Sequence, residues 1–557
     1  MGSRSTLTAL AALLVVTAPA IGASPRGAVA SSDPRATAAG IAMLESGGNA
    51  VDAAVATALA LAVVFPEAGN LGGGGFAVVR VDGVVHALDF REVAPASARP
   101  DMFLDAAGNP VSGASLYGPL ATGVPGSPAG YHELQRRYGK LPWKRVVAPA
   151  IALARDGFAL SARSAKTLAE KRDVLARFPE ARREFLPGGI PRGAGDRLRL
   201  PELAQSLAAY AERGPDALVR GDVAAAIERA VRSEGGVLTA ADLAAYRPVW
   251  REPLAFERFG WSFAAMPLPS SGGVIVGETL GILERRGWSK LERGSVERTQ
   301  LLVEALRRAY ADRFDLADPA SSAATTAELL DPAWLDRRAA GISFTHTTSS
   351  ESVHPFPEKP APEPSHTTNV SVIDADGNAV DLTTTLNDLY GCGLWVPGFG
   401  FLNDEMDDFT TAPGHPNDYG LIQGSANQVL PGHRPLSSVS PMVLSRGKET
   451  VAIGGRGGSA IPTAVLQVLL DLWEGDSAEA ADARPRIHHQ WLPDRLEIER
   501  GALPGDVEQR LKSLGYELTP LVHAAEVNLV HRRLDGSFEA TGDPRAGEAS
   551  AVAAATH

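Results

Sequence analysis

The strongest constraint on this chain lies between Pro355 and Asn387. Five prolines, Pro355, Pro357, Pro360, Pro362 and Pro364, punctuate a run that stops at His366-Thr367-Thr368-Asn369. Each proline fixes its own φ and lacks an N–H, so the run cannot supply a ladder to a sheet. Directly after it Val370 and Val372 alternate with polar residues, Asp376-Gly377-Asn378 offers turn chemistry, and Val380 to Thr385 is a second β-branched run, which together read as a hairpin. A leash therefore enters a buried strand at Thr367 with no loop between. That junction makes chemical sense if the chain is cut there. A new N-terminal threonine carries a hydroxyl nucleophile and, on its own backbone, an amine of pKa roughly 7.7–8 that suits a general base. A linker entering an ordinary edge strand is the competing reading.

The other end of the chain sets the compartment. Arg4 precedes an apolar stretch from Leu7 to Ile21, and Ala18-Pro19-Ala20 or Ile21-Gly22-Ala23 offers a cleavage site, so residues 1–23 read as a secretory signal peptide and the mature protein as periplasmic or secreted. No later run approaches the ~20 apolar residues that cross a bilayer, and Ala53 to Phe65 reads as a core helix instead. The single cysteine, Cys392, excludes an intramolecular disulfide. A net charge of −12 without a Lys/Arg-rich run argues against nucleic acid and anionic membranes, leaving a small molecule or peptide as partner.

Along the chain, Asp33 and Pro34 open a helix that Gly47-Gly48 ends, and a second helix runs from Asn49 to Val64. Gly72 to Gly75 lead into a strand Phe76 to Val81, turned by Asp82-Gly83 into Val84 to Phe90. That glycine cluster follows a helix and precedes a strand, the reverse of a dinucleotide fingerprint, so it reads as close backbone packing. Arg91 ends the hairpin, where a surface ion pair with Glu92 is its plainest role. From Tyr117 to Ala340 the pattern is mainly helical, with Thr239 and Asp242 as a capping box and Pro267 to Gly273 as a rigid turn. Hairpins return after Thr367, at Met442 to Gly455 and Val527 to Ala540, with a helix from Ile461 to Trp473. Strands flanked by helices predict two stacked sheets inside two helical layers, an α/β (α+β) chain.

Several motifs fail. His132-Glu133 is followed by Arg136 where a zinc helix needs histidine. Asp374-x-Asp376-Gly377 opens like a calcium loop, but position twelve is Thr385. His488 and His489 are adjacent and read as structural. No metal or cofactor is called for. What remains is complementary chemistry: carboxylates in Glu405-Met406-Asp407-Asp408, a bidentate partner in Arg91, hydroxyls in Ser437-Ser438, and backbone amides at Gly457-Gly458 with nothing to crowd an oxyanion. Such groups suit an amino acid. The acidic run would hold its ammonium, the arginine and serines its α-carboxylate, and the glycines would face the carbonyl attacked by Thr367.

At these residues the chain resembles the γ-glutamyltransferase (glutathione hydrolase) family. The likeness runs from Gly48-Asn49-Ala50-Val51-Asp52-Ala53-Ala54 and Gly69-Asn70-Leu71-Gly72-Gly73-Gly74-Gly75-Phe76, through Asp89-Phe90-Arg91-Glu92, to Pro435-Leu436-Ser437-Ser438-Val439-Ser440-Pro441 and His488-His489-Gln490-Trp491-Leu492-Pro493. It implies a four-layer αββα sandwich of the N-terminal-nucleophile hydrolase type and self-cleavage into a large subunit, 24–366, and a small one, 367–557. It also implies a heterodimer acting on glutathione and other γ-glutamyl compounds with amine or peptide acceptors. Thr367 matches the nucleophile and Thr385 the threonine that hydrogen-bonds it. Arg91, Asn387, Glu405, Asp408, Ser437 and Ser438 match the γ-glutamyl ligands, and Gly457 and Gly458 the oxyanion hole. Residues 411–423, with Tyr419, resemble the family's lid. The chain departs from the pattern at Asn369, where many members have histidine, and at Arg456, where bacterial relatives usually have proline. The second departure places a cation beside the oxyanion glycines. Two other readings stand: a glutaryl (cephalosporin-acylase-type) amidase of the same fold, which needs no ammonium site, and an inactive periplasmic γ-glutamyl-binding protein, which needs no nucleophile.

Overall fold

The computed structural model describes residues 26–356, 366–412, 423–521 and 524–554. The signal-peptide segment, most of the proline-rich run and the lid residue Tyr419 lie outside the described residues.

Two antiparallel sheets stack face to face. The first has seven strands, in the order Ser550–Ala554, Gly27–Ser31, His366–Asp374, Ala379–Asn387, Gly74–Val81, Val84–Asp89 and Val249–Arg251. The second has six: Phe538–Gly542, Glu526–Arg532, Glu449–Arg456, Met442–Arg446, Trp261–Ala265 and Leu254–Arg258. Helices Pro34–Glu45 and Ala50–Val64 cover the outer face of the first sheet, and Gly272–Arg285 and Ala460–Trp473 that of the second. This is the expected αββα order of layers. Every residue of Ala50–Val64 is buried. A helix apolar all round is stable only when covered on all sides, and here the sheet lies under it and helices Pro34–Glu45 and Trp143–Asp156 flank it. Asn49 and Asp52 close its start with a capping box.

The hairpin expected after Thr367 is present at the centre of the first sheet, with Val370 opposite Leu382 and Val372 opposite Val380. Its turn is anchored by Asp374, which accepts from Asn378 N and Ala50 N at 3.0 Å each. The motif that resembles a calcium loop is thus a structural tie. The stretch expected to be mainly helical departs from expectation at its middle. Val249–Arg251 extends the first sheet, and Leu254–Arg258 and Trp261–Ala265 form a hairpin at the edge of the second, turning at Phe259 (φ 50°) and Gly260 (φ 75°). Their short length hides the alternation that longer strands display.

Candidate functional site

The long central hairpin places the two threonines. Thr367 opens the strand His366–Asp374 and Thr385 lies near the end of its antiparallel partner, where the register shifts between Thr384 and Asn387. The shift leaves Asn387 at φ 80°, in the left-handed region that asparagine tolerates better than most side chains. There its N–H donates to Thr385 Oγ1 at 2.7 Å, and its Nδ2 donates to the carbonyl and carboxylate of Asp404 at 3.2 and 3.1 Å. Thr367, Thr385, Asn387, Arg91, Asp408, Ser437, Ser438 and Gly458 line one crevice. Gly457 borders Thr367 in the larger cleft beside it, a cavity of about 940 Å³.

The acidic run forms a 3-10 turn, Glu405–Asp408. Residues three apart eclipse in such a turn, so Glu405 and Asp408 point the same way while Asp407 turns aside to accept from Ser115 Oγ at 2.5 Å. Both inward carboxylates reach Arg91: Glu405 at 2.6 Å from Nη1 and Asp408 at 2.5 Å from Nη2. Arg91 is fully buried rather than on the surface, and Glu92, 3.6 Å from Nη1, is a third buried carboxylate in the cluster. Three acids around one guanidinium leave an excess of negative charge. Burial pushes Glu405 up to about 8, against the pull of Arg91 and reinforced by Asp408. Glu92 is pushed well above the carboxylate range by burial and then by Glu405. In the empty site, therefore, the expected ligands of the ammonium and of the α-carboxylate are paired with one another.

The turn Pro267 to Gly273 holds the serines. Ser437 N donates to Pro269 O at 2.8 Å, Ser271 N donates to Ser437 O at 2.7 Å, and Ser270 Oγ donates to Val439 O at 2.6 Å. The glycines sit between strand Glu449–Arg456 and helix Ala460–Trp473, at φ 117° for Gly457 and 63° for Gly458. A Cβ on Gly457 would lie 2.6 Å from Ala525 Cα, so no larger residue fits. The start of that fourteen-residue helix borders the crevice through Ser459 and Ile461, and its dipole favours negative charge there.

The two departures from the family pattern have definite surroundings. Arg456 is buried, pairs with its cross-strand neighbour Glu526, and stacks 5.1 Å from the ring of Phe65. Its charge is thus balanced away from the glycines, rather than left beside them. Asn369 lies inside the sandwich against Asp381 and does not border the crevice. His488 and His489 are buried, His488 against Thr463 and Gln490, His489 against Asp494, as structural histidines should be. Glu92 and the helix start at Ser459 are the site features missed in the sequence; only the burial of Arg91 would have signalled the first.

A family model described as Gamma-glutamyltranspeptidase matches residues 36–553. The chain is 42% identical over 529 residues to a glutathione hydrolase proenzyme of Escherichia coli (strain K12), covering 93% of this chain and 90% of that protein. It is 41% identical over 529 residues to a protein of the same name from Pseudomonas aeruginosa, covering 93% of each. Among solved structures, a Helicobacter pylori gamma-glutamyltranspeptidase superposes with a TM-score of 0.59 at 37% identity, over 60% of this chain and 97% of that one. A cephalosporin acylase from Bacillus halodurans superposes with a TM-score of 0.83 at 25% identity, over 99% and 100% of the two chains.

Proposed function

The chain belongs to the gamma-glutamyltranspeptidase family, and from that premise we propose that it is an exported γ-glutamyl hydrolase and transferase that cuts itself at His366–Thr367 and then uses Thr367 as nucleophile. In maturation the Thr367 hydroxyl attacks the carbonyl of His366, the peptide nitrogen leaves as the Thr367 amine, and water cleaves the resulting ester. In turnover that amine takes the hydroxyl proton, Oγ attacks the γ-carbonyl of a glutathione-like donor, and the proton passes to the departing amine. Water or an acceptor amine then resolves the γ-glutamyl ester. Gly457 and Gly458 serve as oxyanion donors, and Thr385 orients the nucleophile.

What supports this reading is the convergence on one crevice of groups from five distant stretches, at 91, 367–387, 405–408, 437–438 and 457–458. The donor enters by exchange of partners. Its ammonium relieves the excess negative charge of Glu405 and Asp408, while its α-carboxylate takes the guanidinium of Arg91, helped by Ser437 and Ser438. Asn387 completes the ring. The purified wild type is expected to run as two chains under denaturing conditions, with a smaller chain that begins Thr-Thr-Asn-Val, and the Thr367→Ala variant as one. A wild type that is active while uncut overturns the proposal.

The superposition on a cephalosporin acylase favours one second reading, a glutaryl amidase. The two substrates differ by a single amine. If Glu405 and Asp408 hold that amine, each charge-assisted bond contributes on the order of 1.5–3 kcal/mol, so removing it lowers kcat/KM by roughly tenfold to a hundredfold or more. γ-Glutamyl-p-nitroanilide is therefore expected to outpace its glutaryl counterpart by that factor. Equal or faster turnover of the glutaryl compound puts the acylase reading first.

A further inference from the structure

Directly behind the nucleophile lies a buried polar cluster for which the proposed chemistry has no use. Successive inward side chains of the nucleophile strand are Thr367, Asn369 and Ser371, since residues two apart share a face. On the partner strand Thr383 stands opposite Asn369, and Asp381 opposite Ser371. Asp381 is fully buried. Its Oδ1 accepts from Asn369 Nδ2 at 2.8 Å, and its Oδ2 lies 2.6 Å from Ser371 Oγ. The opposite sheet closes the cluster: Asn528 Nδ2 donates to Asn369 O at 2.8 Å, and Ser371 Oγ lies 3.1 Å from Asn528 O. Gly454, which pairs with Asn528, lets the sheets meet, because a Cβ there would stand 2.2 Å from Asp381 Oδ1.

No element around Asp381 offers a cation. The neighbouring strands present Val78 on one side and Ser371 and Asn369 on the other, and the facing strands present Gly454 and Asn528. Among the described residues no ion pair reaches Asp381. An ionised carboxylate so placed would be uncompensated, which folded proteins avoid by keeping the proton. The hydrogen-bond count points the same way. The Ser371 hydroxyl has one proton, yet it faces three acceptors: Asp381 Oδ2, Asn528 O and, at 3.3 Å, Asn369 Oδ1. A proton on Asp381 Oδ2, donated to Ser371 Oγ, frees the serine to donate to Asn528 O and completes a closed ring: Asp381 to Ser371 to Asn528 to Asn369 and back to Asp381. Burial also pushes the carboxyl well above its usual range, against the hydrogen bonds from Ser371 and Asn369.

We propose that Asp381, held as a neutral carboxylic acid, is a positioning residue: through Ser371 and Asn369 it locks the strand that carries Thr367 to the strand of the opposite sheet that ends in Gly457 and Gly458. The ring lies one side-chain row in from the nucleophile, so it fixes the separation of hydroxyl and oxyanion donors without touching substrate. It also gives Asn369 a task, as the amide that links Asp381 to Asn528. This inference rests on Thr367 as the nucleophile.

The test compares full-length Asp381→Asn, Asp381→Ala and Ser371→Ala proteins with the wild type. An amide at position 381 keeps both an acceptor and a donor, so Asp381→Asn is expected to mature and turn over γ-glutamyl-p-nitroanilide as the wild type does. Asp381→Ala opens the ring and leaves buried groups unpaired; its kcat is expected to fall about tenfold or more at unchanged KM, because the donor ligands are untouched. Ser371→Ala, which keeps the acid, is expected to lower kcat in the same selective way and serves where Asp381→Ala does not fold. Thermal melting reports the protonation state. A carboxyl whose folded-state pKa is raised loses stability as pH rises above its unfolded value of about 3.9, so Asp381→Asn is expected to melt above the wild type by a margin that widens with pH. An Asn variant as slow as the Ala variant, or one that melts lower than the wild type, shows that a carboxylate is needed and overturns the neutral acid. Wild-type kcat in both Asp381→Ala and Ser371→Ala overturns the positioning role. Failure of the underlying assignment looks different: Thr367→Ala would stay active whatever residue 381 is.

Discussion

Arg91 and the carboxylates of Glu92, Glu405 and Asp408 form a site whose charge is balanced only when a cation arrives. The pH dependence of donor binding follows from the buried acid. Glu405, pushed up to about 8, is mostly neutral below that pH and cannot pair with an ammonium. As pH rises toward 8 the carboxylate forms, so the KM for γ-glutamyl-p-nitroanilide is expected to fall over that interval, and binding to release a proton. The Glu405→Gln variant, which cannot titrate, is expected to lack this limb in a KM-against-pH profile; a limb that persists assigns the titration to another group. At this scale much was legible. Arg91, Thr367, Thr385, Asp408, Ser437 and Ser438 announce their chemistry by type, and the family likeness marked their positions. The depth of Arg91 was not legible. Arg-Glu side by side in sequence reads as a surface pair, and only the packing of both sheets around residue 91 makes it a buried cluster with Glu92 as an additional acid.

The turn between strand Glu449–Arg456 and helix Ala460–Trp473 carries the oxyanion glycines by virtue of its backbone shape. At Gly457 both φ 117° and the 2.6 Å approach of Ala525 Cα to a would-be Cβ exclude a side chain. Gly457→Ala is expected to displace that turn while the sandwich still folds, with a loss of kcat on the order of a hundredfold or more, the scale seen when one oxyanion donor is removed. Far-ultraviolet circular dichroism like the wild type's together with that loss would place the effect in the turn; unimpaired kcat would remove Gly457 from the oxyanion role. Long elements were the readable ones. Ala50–Val64, the hairpin after Thr367 and Ala460–Trp473 announce themselves by caps, turns and sustained apolar runs. Gly27–Ser31 did not, because five small or β-branched residues show no period, though the strand lies within the first sheet. Leu254–Arg258 and Trp261–Ala265 were hidden by helices on both sides, and what makes them strands is the edge offered by Met442–Arg446, far off in sequence.

Over the whole molecule, the proposed cut falls where it can release an amine without releasing a subunit. Gly27–Ser31, on the large-subunit side, is hydrogen-bonded along both edges to small-subunit strands, Ser550–Ala554 and His366–Asp374. Gly74–Val81 pairs with Ala379–Asn387, and Trp261–Ala265 with Met442–Arg446. Arg91, from the large-subunit side, reaches Glu405 and Asp408 on the other. Separating the halves would expose strand edges and open both sheets, at the expense of backbone hydrogen bonds that water replaces poorly around apolar side chains. The cut chains are therefore expected to elute together as one particle from a non-denaturing sizing column, to melt in a single transition, and to part only in denaturant. Either half emerging alone and folded would mean that the sheets are not shared in the way these pairings require. The same interleaving gives the cleavage its one-way character: once the His366–Thr367 bond is broken, the carbonyl side leads into the proline-rich run, which cannot pair with a sheet, while Thr367 stays fixed by the central hairpin, its new amine beside its own hydroxyl.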